Sequence, residues 1–158
     1  MFDPAELRDA NRQGSAGGNV MGFSPSRLLV IEDDTLNRMM ICRVAAKAGY
    51  APAGASTYDE AVRRLQDTQY DCITLDLSFG AHDGNDVLRH LADIGCTAHI
   101  IVVSGCDDAA RHDSIKTAKA LHLNVWDSIP KPVDLAVLRY WLERLKSEYV
   151  PAAAAAAA

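Results

Sequence analysis

Five residues at the ends of apolar runs carry the chemistry open to this sequence. Leu28-Leu29-Val30-Ile31 stops at Glu32 and Asp33, and Cys72-Ile73-Thr74-Leu75 stops at Asp76. Ile100-Ile101-Val102-Val103 stops at Ser104, and a shorter run stops at Lys131, between Pro130 and Pro132. Singly they say little. Asp is common at strand ends and turns, and Glu32-Asp33-Asp34 reads equally as an acidic helix start favoured by the helix dipole. Ser104 alone reads as a turn residue. Lys131 alone reads as a surface lysine, although its flanking prolines point to a fixed geometry with a cis bond preceding Pro132 as one option. Together they are a reactive set. Three carboxylates within a few ångströms repel one another and do not all ionise unaided. A divalent cation plus one ammonium balances them, and oxygen-only ligation of this kind suits Mg2+, which keeps waters and accepts phosphate oxygens. Phosphoryl transfer needs an in-line nucleophile and neutralised equatorial oxygens. Asp76, ionised at neutral pH, is a nucleophile of that kind.

Whether the five meet depends on the elements between them, and the hydrophobic period changes repeatedly along the chain. The run at 28–31 has the length and continuity of a strand covered on both faces. Helical spacing follows, with Leu36, Met39, Met40, Val44 and Ala48 on one expected inner side, a cap at Asp34 or Thr35, and Gly49 at the end. A weak strand at 51–55 contains Pro52, which argues for a sheet edge. Thr57-Tyr58-Asp59-Glu60 resembles a capping box and opens a helix expected to bury Ala61, Val62 and Leu65. The strand at 72–75 leads through a glycine-bearing loop to a helix with Val87, Leu88, Leu91 and Ile94 inward, stopped at Gly95. After the strand at 100–103, residues 107–121 have a thin apolar stripe of Ile115, Ala118 and Leu121. A short strand at 124–129 reaches Lys131, and Asp134 caps a last helix with Leu135, Leu138, Trp141, Leu142 and Leu145 inward. No internal repeat is evident.

Five alternations with short connections imply a parallel sheet with right-handed crossovers and helices on both faces. The expected fold class is α/β: a flavodoxin-like, doubly wound, five-stranded parallel sheet in order 2-1-3-4-5 with five helices. In that order the first and third strands are neighbours at the switch point, where ligands bind outside the carboxyl ends of strands. Glu32, Asp33 and Asp76 then share one pocket, and Ser104 and Lys131 arrive from the fourth and fifth strands.

Composition sets the frame. The 158 residues carry a net charge of −5 with 49% hydrophobic residues, the makeup of a soluble globular chain. The acidic balance gives no electrostatic reason for direct nucleic-acid binding. No apolar stretch approaches the roughly 20 residues a membrane helix needs. Cys42, Cys72, Cys96 and Cys106 show no paired metal-ligand spacing and read as thiols of a reducing cytoplasm. The five histidines show no ligand spacing either. Residues 1–26 are Gly- and Ser-rich and read as a flexible leader, with one marginal helix at 5–12. Residues 27–148 form the folded domain. Pro151 and an alanine run make 149–158 an unstructured or artificial tail.

Ile31-Glu32-Asp33-Asp34, Leu75-Asp76-Leu77, Asp83-Gly84, Val103-Ser104-Gly105 and Pro130-Lys131-Pro132 resemble the receiver domain of bacterial two-component response regulators, over about residues 27–148. The resemblance implies that Asp76 accepts a phosphoryl group from the phosphohistidine of a sensor histidine kinase or histidine phosphotransfer protein. It implies a Mg2+ site of Asp33, Glu32 (mostly through water), Asp76 and the carbonyl of Ser78. Ser104 would hydrogen-bond a phosphoryl oxygen and Lys131 would pair with another, so that phosphorylation switches binding of a downstream protein. A homodimer is open, since relatives often pair through the fourth and fifth helices.

Departures from that pattern matter. The stretch from Ser104 to Lys131 is longer than usual. Ser128 stands where the family's switch aromatic lies, three residues before the lysine, leaving Trp126 or His122 as substitutes. Phe79-Gly80 replaces a frequent Met-Pro, which suggests a looser loop. Ser78 and Cys106 occupy the positions that tune dephosphorylation, and neither can orient an attacking water as an acid or amide would, so a long-lived phosphoryl group is expected. Two other readings compete with the phosphoacceptor. A Mg2+-dependent aspartyl-phosphate phosphatase would usually carry a second aspartate where Ser78 stands. A receiver-like interaction module would bind its partner without phosphorylation.

Overall fold

The computed structural model describes residues 24–80 and 84–148. The leader helix expected at 5–12 and the tail at 149–158 lie outside them. Five strands alternate with five helices: β1 (Arg27–Ile31), α1 (Thr35–Lys47), β2 (Ala51–Ala55), α2 (Tyr58–Asp67), β3 (Cys72–Asp76), α3 (Gly84–Asp93), β4 (His99–Ser104), α4 (Asp108–Ala120), β5 (Asn124–Pro130) and α5 (Leu135–Glu148). The strands are all parallel, in the order β2-β1-β3-β4-β5. This is the doubly wound α/β fold that the alternation implies. Among the described residues no helix is long and apolar enough to cross a membrane.

Alternate side chains of the strands feed two cores. Leu29, Ile31, Ile73, Leu75, Ile100 and Val102 meet α2, α3 and α4 on one face. Leu28, Val30, Cys72, Ile101 and Val103 meet α1 and α5 on the other. Both faces being covered explains why these runs are apolar without alternation. β2 is an edge strand, as Pro52 suggested. Ala51 N–H donates to Ser26 and the Ala55 carbonyl accepts from Glu32 N–H, so ladder alternation turns the peptides of Pro52 and Gly54 outward.

Local signals settle the helix starts. Asp34 caps α1 by accepting from Asn37 N–H at 2.7 Å, and Asp134 caps α5 by accepting from Ala136 and Val137 N–H. Thr57 caps α2 by accepting from Glu60 N–H, but the reciprocal bond is shifted by one residue. Glu60 takes the N–H and hydroxyl of Ser56 instead, and the backbone bond from Ser56 is the main reason its carboxyl is held below the usual range.

Two expected inner faces need correcting. On α1 the buried residues are Ile41, Ala45 and Ala48, whereas Leu36, Met39 and Met40 are 65%, 48% and 36% exposed. The helix carries apolar residues all the way round, so its period cannot say which side faces the sheet; the exit direction of β1 decides that. On α3, Val87, Leu88 and Leu91 are buried but Ile94, past the helix end, is 45% exposed. The pairing of β5 with β4 is interrupted by a one-residue bulge. Ile100 pairs with Val125 and Ile101 with Asp127, so Trp126 is a bulged residue.

The α1 correction is directly testable by urea unfolding. Ile41→Ala is expected to cost about 2–5 kcal/mol, as for a buried large-to-small change. Met39→Ala should stay within about 0.5 kcal/mol of wild type.

Candidate functional site

At the sheet's carboxyl edge, β1, β3 and β5 deliver the parts of a pocket. β1 runs straight into Glu32, which is 1% exposed, and β3 ends in Asp76, which is 2% exposed. Asp33 follows Glu32 but lies exposed at the rim. These three each place a carboxylate oxygen within 4.8 Å of the others. Lys131, just past β5, sets its Nζ 2.8 Å from Asp76 Oδ2, to which it donates a hydrogen bond, and 2.8 Å from Glu32 Oε2 as an ion pair. Among the described residues, Lys131 is the partner shown for this buried Glu32 oxygen.

The remaining oxygens are tied to nearby backbone. Glu32 Oε1 accepts from Asp34 N–H at 3.1 Å, Asp76 Oδ1 from Ser78 N–H at 2.9 Å, and Asp33 Oδ2 from Gly80 N–H at 3.1 Å. The segment after β3 therefore leans back over the pocket. Phe79 is buried in the α2–α4 core at 1% exposure, which anchors it and runs against a loose loop at Phe79-Gly80. Gly84, from the Asp83-Gly84 pair, closes the turn: its N–H donates to the Leu77 carbonyl at 3.0 Å. A Cβ there would stand 2.6 Å from Leu77 Cα, so no other residue fits without movement.

Burial and charge oppose one another in the pocket. Burial raises the Glu32 carboxyl above its usual range; the bond to Lys131 pulls it down and the charge of Asp76 pushes it up again. Burial lowers the Lys131 ammonium, but hydrogen bonds and attraction from Asp76 and Glu32 outweigh it and the result is raised. Three carboxylates against one ammonium leave two negative charges among oxygen donors only. That donor set fits a hard divalent cation, with Glu32, Asp33 and Asp76 as the residues able to hold it.

Ser104 is fully buried at the end of β4. Its Oγ donates to Cys106 Sγ at 2.9 Å and accepts from Cys106 N–H at 3.1 Å. The Ser104 carbonyl accepts from Lys131 N–H at 3.0 Å, so one backbone bond holds these two side chains at adjacent strand ends. The bond preceding Pro132 is cis. Ser78 is exposed on the rim.

Trp126 is not brought to the pocket. It packs on the α1–α5 core and lies edge-on to His99, with ring centroids 6.1 Å apart. His99 begins β4, roughly 16 Å from Ser104 at the usual strand rise. Trp126 lies two residues beyond Asn124, the partner of His99, and the expectation of a substitute switch aromatic finds no support in this position. His122 is exposed just after α4. Sequence reading missed Arg38, whose guanidinium donates to the carbonyls of Glu32 and Asp33 at 2.8 and 3.2 Å. An arginine one turn into a helix that follows an acid pair was the available signal.

The raised Glu32 carboxyl gives a signed pH dependence. Below its unfolded value near 4.5 both states hold the proton. Above it the unfolded chain ionises first, so stability from this group is lost as pH rises through the folded value. In urea unfolding without divalent cations, Glu32→Gln is expected to lose less stability than wild type between pH 4.5 and neutrality.

Known proteins resemble this chain in sequence and in fold. A chemotaxis protein CheY from Thermotoga maritima is 31% identical over 107 residues, which are 67% of this chain and 85% of that protein. A protein-glutamate methylesterase/protein-glutamine glutaminase of Koribacter versatilis is 31% identical over 132 residues, 82% of this chain. The chain spans only 35% of that relative's length. A response regulator structure from Colwellia psychrerythraea superposes with a TM-score of 0.68 at 26% identity, covering 79% of this chain and 99% of that one. Residues 28–143, which include Ser104 and the four converging side chains, match the family model of the response regulator receiver domain, and the chain belongs to that family.

Proposed function

We propose that Asp76 takes a phosphoryl group from the phosphohistidine of a sensor histidine kinase or histidine phosphotransfer protein, and that the phosphorylated chain binds a downstream protein. The observation that carries this reading is the convergence of Asp76 with Lys131 and two further carboxylates at the carboxyl edge of the sheet. In the transfer, an Asp76 carboxylate oxygen forms a bond to phosphorus as the phosphorus–nitrogen bond of the donor breaks. The imidazole leaves with the electron pair. Bound Mg2+ supplies positive charge for the phosphoryl oxygens.

The chain's own residues do the rest. Glu32, Asp33, Asp76 and the Ser78 carbonyl hold the cation, and Lys131 exchanges part of its contact with Asp76 for a phosphoryl oxygen. Ser104 must leave Cys106 to reach another oxygen, and that exchange is the step by which the site changes the surface near β4 and β5. Ser78 and Cys106 offer no group to activate water, so the phosphoryl group persists. Beyond its own phosphorylation and slow loss of the group, the domain is not an enzyme. We assign it to the cytoplasm, in keeping with four free thiols. Its partners are proteins rather than nucleic acid or membrane.

Incubation with acetyl phosphate and MgCl2 is expected to add one phosphoryl group by intact-mass measurement. Asp76→Asn should add none, and equal labelling of both proteins excludes Asp76 as the acceptor. Chelation of Mg2+ should abolish labelling of the wild type. After removal of the donor, the label is expected to decay over many minutes; a lifetime of seconds would refute the roles given to Ser78 and Cys106.

A further inference from the structure

Arg38 reaches out of α1 to the loop that carries two of the three carboxylates. Its Nη1 donates to the carbonyl oxygens of Glu32 and Asp33 at 2.8 and 3.2 Å, and its Nη2 to Thr35 Oγ1 at 3.4 Å. Both carbonyls precede the Asp34 cap and therefore lie outside the helix ladder. A planar guanidinium with its donors in a fixed fork suits this task in a way an ammonium does not.

The path of the side chain depends on a neighbouring strand. Arg38 lies against Gly54 of β2, where a Cβ would stand 2.9 Å from Arg38 Cδ and 3.2 Å from Cγ. The glycine leaves the space that the arginine occupies. A structural role for Arg38 with no bearing on the pocket would not need contact with both peptides of the acid pair.

We propose that Arg38 is a positioning residue for that pair. It holds the Glu32 and Asp33 peptides so that their carboxylates meet Asp76, and it thereby strengthens binding of a divalent cation. The proposal rests on the Mg2+ reading above. Its sign is what makes it testable. By charge alone, a guanidinium near a cation site weakens cation binding, so removing it should tighten binding. By positioning, removing it should weaken binding, since the loop must then be ordered by the ion itself.

The test is a MgCl2 titration of the purified chain, followed by amide NMR shifts of Ser78 and Gly80, with melting in EDTA as a check on the fold. Arg38→Gln is expected to weaken Mg2+ binding about tenfold, comparable to freeing the backbone of one residue. Arg38→Lys should fall between the two. Gly54→Ala keeps every charge but displaces the arginine, and should show a similar loss; it decides the matter alone if Arg38→Gln does not fold. Binding by Arg38→Gln as tight as wild type, or tighter, overturns the proposal. So does unchanged binding by Gly54→Ala. Asp33→Asn separates the two levels. If wild type binds Mg2+ and Asp33→Asn weakens it while Arg38→Gln does not, only the role of Arg38 fails. If wild type does not bind, or Asp33→Asn binds equally, the cation site itself fails and this inference goes with it.

Discussion

One ammonium group sets the terms for the whole pocket. Lys131 Nζ lies 2.8 Å from carboxylates that are delivered by β1 and β3, while Lys131 itself follows β5. Between β3 and β5 stands β4, so the lysine stem and the carboxylate side chains must reach toward one another across the end of that strand. A long side chain with a compact charge can do this, and its backbone bond to Ser104 fixes the starting point. Without it, Glu32 and Asp76 would be two nearly buried acids facing each other with no ammonium between them, an arrangement that favours protonation of one of the pair.

The pocket is therefore held short of balance. Two negative charges remain after Lys131 is counted, and burial keeps Glu32 reluctant to ionise. Natural folds accept such local costs where function needs them and offset them elsewhere. Here the offset is the two cores, in which Leu28, Leu29, Val30, Ile73, Leu75, Ile100, Ile101 and Val102 are wholly buried. Ser104, at the end of the neighbouring strand, is a fully buried hydroxyl whose partners are both on Cys106.

Much of this was legible in the chain itself. Continuous apolar runs revealed strands covered on both faces, and each run stopped at a polar residue that the sheet then placed at one edge. Asp34, Thr57 and Asp134 marked helix starts because capping is a local bond. What stayed hidden was not local. α1 is apolar on all sides, so only the packed structure shows that Ile41 and Ala45 turn inward while Leu36 turns outward. The one-residue bulge at Trp126 is a matter of register with β4, which no pattern within β5 encodes. Arg38 meets carbonyls, and only its place one turn after the acid pair hinted at that contact. Phe79 read as a departure in a loop because its burial depends on α2, α3 and α4 arriving from elsewhere.

The open sides of the sheet bear on how copies of this chain could meet. β2 presents Pro52 outward, where an N–H would otherwise invite a new strand, and β5 is broken by the Trp126 bulge and ends in Pro130. Both borders are thus poor templates for edge-to-edge pairing. Growth of the sheet by addition of a second copy at either border is thereby disfavoured.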